Sequence, residues 1–188
     1  MREEYTISIF TEDHIGIFNQ ITNIFTRRQI NIDSITCSVT AVPGVSLITL
    51  VVKTTHNMIT TVAKQIERII DVLKVFVHTS DQIIYQEIAL FKVAANGFLE
   101  GNNVDQVVRN FSARIIEISP EYVVLEKTGH QNEITELQKY LSSFGLLQVS
   151  RSGRVAITKQ VKELNSYLEE MDEANRGNAE RLRYNFNN

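Results

Sequence analysis

The sequence predicts an α+β fold: two tandem βαββαβ units followed by a helical tail. Three observations carry it. Apolar residues switch between a period of two and helical spacing in the order β-α-β-β-α-β over about the first 75 residues. The same order returns about 85 residues further on. Beyond it, Val161, Leu164, Leu168 and Met171 fall at a/d spacing with Lys162, Glu163, Glu169 and Glu170 around them.

The elements follow in order. Tyr5, Ile7 and Ile9 alternate with Thr6 and Ser8, the pattern of a strand with one covered face. From Gly16 to Arg28 the spacing of Ile17, Ile21, Ile24 and Phe25 is helical. Asn31 opens an extended segment in which Ile35, Cys37 and Val39 share a face. Pro43-Gly44 is a turn, Pro pre-setting φ and Gly accepting φ > 0, so residues 32–54 read as a hairpin. Ile59, Val62, Ala63, Ile66, Ile69 and Ile70 make a second helix, and Leu73 to Thr79 a fourth strand. This is the ferredoxin-like split βαβ arrangement, with two helices on one face of a four-stranded antiparallel sheet. The other face must meet water or pack on something else.

The second unit repeats it. Glu87 to Ala94 is a strand apolar on both faces. Val104, Val107, Val108 and Phe111 mark a short helix, and Ala113–Ser119 and Tyr122–Thr128 are strands joined across Pro120. Ile134, Leu137, Tyr140 and Leu141 mark a helix, and Leu146–Ser150 a strand that Val155–Thr158 extends beyond Gly153. A tail helix as short as 161–171 is marginal alone in water and must dock on something, whereas 175–188 reads as disordered unless bound.

Composition narrows the function. The 188 residues carry one Cys, so an internal disulfide and any Cys-x-x-Cys site are excluded. No run approaches ~18 apolar residues, and the charged start at Met1-Arg-Glu-Glu does not read as a secretory signal. The net charge of −3 argues against a phosphate-tracking surface. The expected setting is a reducing cytoplasm.

Catalytic patterns are missing. There is no Gly-rich dinucleotide or phosphate loop and no Gly-x-Ser-x-Gly elbow. His14, His56, His78 and His130 lie at no metal-ligand spacing. Cys37 reads as a small buried hydrophobe on its strand. Glu12-Asp13 is a carboxylate pair, but adjacent turn residues point apart, and general acid–base work needs groups flanking one bond. Asp13, with Glu12 or Thr11, is expected to cap the first helix.

Gly16 and Asn31 are more informative. Gly16 stands where the first strand turns into the first helix, whose opening N–H groups lack intrahelical partners and favour an anion. Asn31 follows the same helix, and its amide both donates and accepts. The two could converge on one zwitterion, N–H groups on its carboxylate and the Asn oxygen on its ammonium. Equally, Gly16 could serve helix–strand clearance and Asn31 tolerance of the left-handed region. The residues alone leave both readings open.

Here the chain resembles a known family. Thr11-Glu-Asp-His-Ile-Gly-Ile-Phe18 and Ile24-Phe-Thr-Arg-Arg-Gln-Ile-Asn-Ile-Asp-Ser-Ile-Thr36 resemble the opening of an amino-acid-sensing ACT domain. They are similar, more closely, to the small regulatory subunit of acetolactate synthase (acetohydroxyacid synthase). Further matches are Val72-Leu-Lys-Val75, Glu87-Ile-Ala-Leu-Phe-Lys-Val93 and Val149-Ser-Arg-Ser-Gly-Arg-Val-Ala156, the last two beyond a generic ACT domain.

The resemblance implies an ACT domain over 3–80, an ACT-like C-terminal regulatory domain over 84–158 and a helical, polar tail over 159–188. It implies a chain without catalysis or cofactor of its own. Such a chain binds a large subunit that holds thiamine diphosphate, Mg and FAD, raises its rate, and confers feedback inhibition by a branched-chain amino acid, valine first. It implies a homodimer through ACT domains, with the effector where two of them meet. The effector-binding residues carried over are Asp13, Gly16, Ile17, Asn19, Asn31 and Ile32.

Three departures surround that pocket. Gln29 stands where a Gly is usual, a left-handed position past a helix end at which Gln costs about 1 kcal/mol. Ile15 replaces a frequent Pro, and Leu47 a frequent Arg. Two other readings compete. A stand-alone tandem-ACT sensor of another protein leaves the second-half matches unexplained. An enzyme using Glu12, Asp13 and His14 is the third.

Overall fold

The computed structural model describes residues 2–99 and 103–160. The readings of 161–171 as a helix and of 175–188 as a disordered segment lie outside them. Both βαββαβ units fall in one compact body, Met1–Ala156.

The first unit runs β1 (Glu3–Glu12), α1 (Ile17–Arg27), β2 (Ile32–Val39), β3 (Val45–Thr54), α2 (His56–Ile66) and β4 (Val72–His78). Its sheet has the order β2-β3-β1-β4, every neighbour antiparallel. The register sets Ile7 beside Leu50 and Val77, and Ile9 beside Ile48 and Val75. That apolar face takes Ile17, Ile21 and Phe25 of α1 and Ile59, Val62 and Ile66 of α2, one face of each helix, into a single core.

The second unit runs β5 (Ile83–Ala94), a distorted turn α3 (Ala95–Phe98), α4 (Asn103–Phe111), β6 (Arg114–Ile118), β7 (Tyr122–Gly129), α5 (Gln131–Ser142) and β8 (Leu146–Arg151). Its order, β6-β7-β5-β8, repeats the first sheet. Phe91, Val93, Leu125 and Val123 pack against Val107 of α4 and Ile134, Leu137 and Leu141 of α5.

Four local expectations are corrected. β5 starts four residues earlier than Glu87, at Ile83. Val155–Thr158 does not extend β8; it is a separate strand, β9, paired with β5. Gly153 sends the chain aside between them, because Ser152 is held by Ile88: the Ser152 N–H donates to the Ile88 carbonyl at 2.8 Å, and Ser152 Oγ accepts from the Ile88 N–H at 2.9 Å. Cys37 is exposed rather than buried, because β2 is an edge strand that the helices cover poorly, leaving Ile35 38% and Val39 80% exposed. Finally, α1 has no side-chain cap; its N-cap is Gly16 itself, not Asp13.

The helix-free face of the first sheet is covered in part by Gly153 and Arg154. Arg154 is 2% exposed. Its Nη1 donates to Thr6 Oγ1 at 2.8 Å, its Nη2 to Glu4 at 2.7 Å, and its guanidinium lies 3.8 Å over the Tyr85 ring. The Arg154 N–H donates to Ser34 Oγ at 3.1 Å, and Thr36 Oγ1 donates to the Arg154 carbonyl at 3.1 Å. A Cβ at Gly153 would sit 2.2 Å from Thr36 Oγ1 and 2.9 Å from the Ile35 carbonyl, so a residue without a side chain is required there.

Candidate functional site

The loop from β1 to α1 is held from two sides. The Glu12 N–H donates to the Asp71 carbonyl at 2.9 Å, and His14 Nδ1 lies 3.1 Å from Asp71 Oδ1. The Asp13 N–H donates to the Gly44 carbonyl at 3.1 Å. This frame turns the chain into α1 at Gly16, with φ 92° and ψ −7°. A Cβ there would meet nothing within 4 Å. Backbone conformation, not helix–strand clearance, therefore explains this glycine. The first turn of α1 carries neither an acidic residue nor a side-chain cap, so its partial positive charge faces the loop uncompensated. An amino-acid carboxylate suits such an end.

Asn31 precedes β2 and is exposed, its Nδ2 donating to Asp33 Oδ1 at 3.1 Å. The non-glycine residues with positive φ are Gln29 and Ser112, among those described, so the left-handed reading of Asn31 is overturned. Asn19 lies on the exposed side of α1, where its Oδ1 accepts from Asn23 at 3.3 Å. Ile17 is 7% exposed and belongs to the core, and Ile32 packs against that core. Asp13 is exposed and shares a field with Cys37 on β2. Partial desolvation, and then the Asp13 carboxylate, push the Cys37 thiol up, which keeps it protonated and a poor nucleophile.

The structure does not bring Gly16 and Asn31 together within one chain. Glu12, at the Gly16 end of the sheet, pairs with Val45 of β3, whereas Ile32, next to Asn31, pairs with Val52. Those rungs are seven steps apart on β3, about 24 Å at ~3.4 Å per residue. The 11 residues of α1 between the two positions rise about 16 Å. An amino acid's ammonium and carboxylate are closer than the ~3.8 Å between successive Cα atoms, so no single effector spans the gap. Convergence within one chain fails because βαβ connectivity places the two residues at opposite ends of the same helix.

A cleft of about 540 Å³ opens elsewhere, where the two units meet. Its charged lining is Glu4, Asp33, Lys53, Glu87, Arg151 and Arg154, and none of the six expected effector residues borders it. Its charges are paired: Arg151 with Glu87 at 3.1 Å, Arg154 with Glu4 at 2.7 Å, and Lys53 with Glu4 and Asp33 at 3.9 and 3.8 Å. Sequence reasoning missed Arg154 and Glu4, because their partnership spans 150 residues. The one available signal was an Arg inside Ser-Gly-Arg at the end of a strand.

Among the described residues no group of three or more His, Cys, Asp or Glu is placed to hold a metal ion, and no helix is long and apolar enough to cross a membrane.

Comparison with known proteins assigns both units. The model of the ACT domain of acetohydroxyacid synthase small subunits matches residues 7–74, and that of the small subunit of acetolactate synthase matches residues 86–160. The acetolactate synthase small subunit of Bacillus subtilis is 33% identical over 154 residues, covering 81% of this chain and 89% of that protein. The one from Mycobacterium leprae is 32% identical over 155 residues, covering 82% and 91%. The crystal structure of the acetolactate synthase small subunit from Thermotoga maritima superimposes with a TM-score of 0.76 at 27% identity, covering 84% of this chain and 98% of that one.

Proposed function

This chain belongs to the family of acetolactate synthase small subunits, and from that premise we propose that it activates a catalytic large subunit and makes it sensitive to a branched-chain amino acid. The observation that carries the reading is the matching of both units, in order, over most of the chain. The large subunit performs the carboligation of two 2-oxoacids and holds thiamine diphosphate, Mg and FAD. The small subunit supplies a coupling free energy, typically 1–3 kcal/mol, between effector and catalytic state. The setting is the cytoplasm and the branched-chain amino-acid pathway.

The geometry supports a site built by two copies. β2 is an edge strand that exposes Ile35, Cys37 and Val39. Two such edges related by a two-fold axis perpendicular to the strands run antiparallel, which brings the Gly16 end of one chain toward the Asn31 end of the other. The open α1 N-terminus then takes the effector's carboxylate, with Asp13 nearby. Asn31 of the second copy takes its ammonium. Ile17, Asn19 and Ile32 flank the site, and valine is the first candidate.

Reconstitution tests this. Added to its large subunit, the purified chain raises the rate of acetolactate formation from pyruvate, and valine lowers it. A chain that neither binds the large subunit nor changes its rate would contradict the assignment.

A further inference from the structure

A continuous run of polar contacts leads away from Asn31. Its amide Nδ2 donates to Asp33 at 3.1 Å. Asp33 lies 3.8 Å from Lys53, which lies 3.9 Å from Glu4. Glu4 accepts from the buried Arg154 at 2.7 Å. Arg154 stacks on Tyr85 of β5, and Tyr85 meets the His130 ring edge-on at a centroid distance of 4.6 Å, where α5 begins. The run begins at an effector-site residue of the first unit and ends on the helix layer of the second.

The links differ in kind. Lys53 is 60% exposed and its two pairs are long, so they contribute little to stability and exchange readily. Arg154 is 3% exposed at its side chain, with its Nε unpartnered, and its hydrogen bonds fix its position. A soft link thus joins the effector end to a rigid one.

We propose that Lys53 and Arg154 are positioning residues that transmit effector occupancy at Asn31 to the second unit. This rests on the effector reading of Asn31 given above. An effector ammonium that donates to the Asn31 Oδ1 turns the amide, and its Nδ2 swings away from Asp33. Asp33 then competes harder for Lys53, Lys53 leaves Glu4, and Glu4 draws on Arg154. Arg154 is tied through its backbone to Ser34 and Thr36 of β2 and through its ring contact to β5, so its displacement is felt on both units. Chains of hydrogen bonds and salt bridges of this kind can carry energetic coupling between sites.

The test uses the reconstituted complex with its large subunit, carrying wild-type chain, Lys53→Gln or Arg154→Lys. Valine, leucine and isoleucine binding is measured by calorimetry, and acetolactate formation is followed with and without each amino acid. Both variants are expected to bind effector within about twofold of wild type and to activate the large subunit normally, while inhibition at saturating effector weakens by roughly fivefold, the lower end of usual couplings. Inhibition as strong as wild type, or binding and inhibition lost in proportion, overturns the relay. A wild-type complex that responds to none of the three amino acids overturns the effector reading itself and the relay with it. Should Arg154→Lys fail to fold, the exposed Lys53→Gln decides alone.

Discussion

Gly16 and Asn31 stand at opposite ends of α1, one before its first residue and the other beyond the turn that closes it. The same helix that gives Gly16 its anion-receptive N–H groups carries Asn31 about 16 Å away. A site that uses both therefore draws them from different copies of the chain, and the symmetry of the assembly becomes part of the binding chemistry.

Replacing Gly16 by Asp tests the near half of that site. At φ 92° any L side chain is strained, by roughly 1–2 kcal/mol for most residues and less for Asp, which tolerates this region. With open space around the Cβ position, the fold is expected to survive. On the proposed reading the new carboxylate occupies the place of the effector's carboxylate, so calorimetry on Gly16→Asp should show no valine binding while thermal unfolding stays cooperative. Unaltered binding would remove the helix N-terminus from the site.

The end of α1 supplies a stabilising change. Gln29 has φ 54°, its N–H donates to the Thr26 carbonyl at 3.0 Å, and the Ile30 N–H reaches back to Phe25 at 3.0 Å, which together form a Schellman motif. Gln29→Gly is expected to stabilise the chain by about 1 kcal/mol, a rise in Tm of roughly 2–4 °C. A fall in Tm would show that the Gln side chain makes a compensating contact.

Gly153→Ala is expected to do the opposite. Its Cβ would meet Thr36 Oγ1 at 2.2 Å and the Ile35 carbonyl at 2.9 Å, and backbone cannot rotate away as a side-chain tip can. Overpacking of this kind costs about 1–3 kcal/mol. Denaturant unfolding of the variant reads the loss directly, and an unchanged midpoint would mean that the segment does not seat on β2.

Cys37 reports on the loop through its titration, read in chain diluted to the monomer, where the β2 edge is open. Its pKa is raised, first by desolvation and then by Asp13, so the thiolate is scarcer at pH 8 than for a free thiol and iodoacetamide alkylation is slower. Asp13→Asn removes the repulsion, lowers the pKa and speeds alkylation at that pH. Identical rates for the two proteins would place Asp13 away from β2.

Much of the fold was legible because its signals are local. The alternation of Tyr5, Ile7 and Ile9 and the helical spacing of Ile17, Ile21 and Phe25 are set by which face each residue buries, and the structure buries those residues. Gln29 was legible through the resemblance, whose usual Gly marks a left-handed position past the helix end. Cys37 was misread because alternation marks a face and not its cover, and an edge strand leaves part of its apolar face open. The separation of Gly16 from Asn31 needed the strand order, and Arg154 needed a contact across 150 residues, neither of which any local pattern encodes.

Subunit complementation tests the proposed shared site most directly. Gly16→Asp and Asn31→Ala homodimers should each fail to bind valine. Mixed and re-equilibrated, half of the dimers are heterodimers. Each holds one intact site, with Gly16 from one chain and Asn31 from the other, so calorimetry should recover about a quarter of the wild-type sites. No recovery, with heterodimers present, would contradict a site built by two copies of this chain.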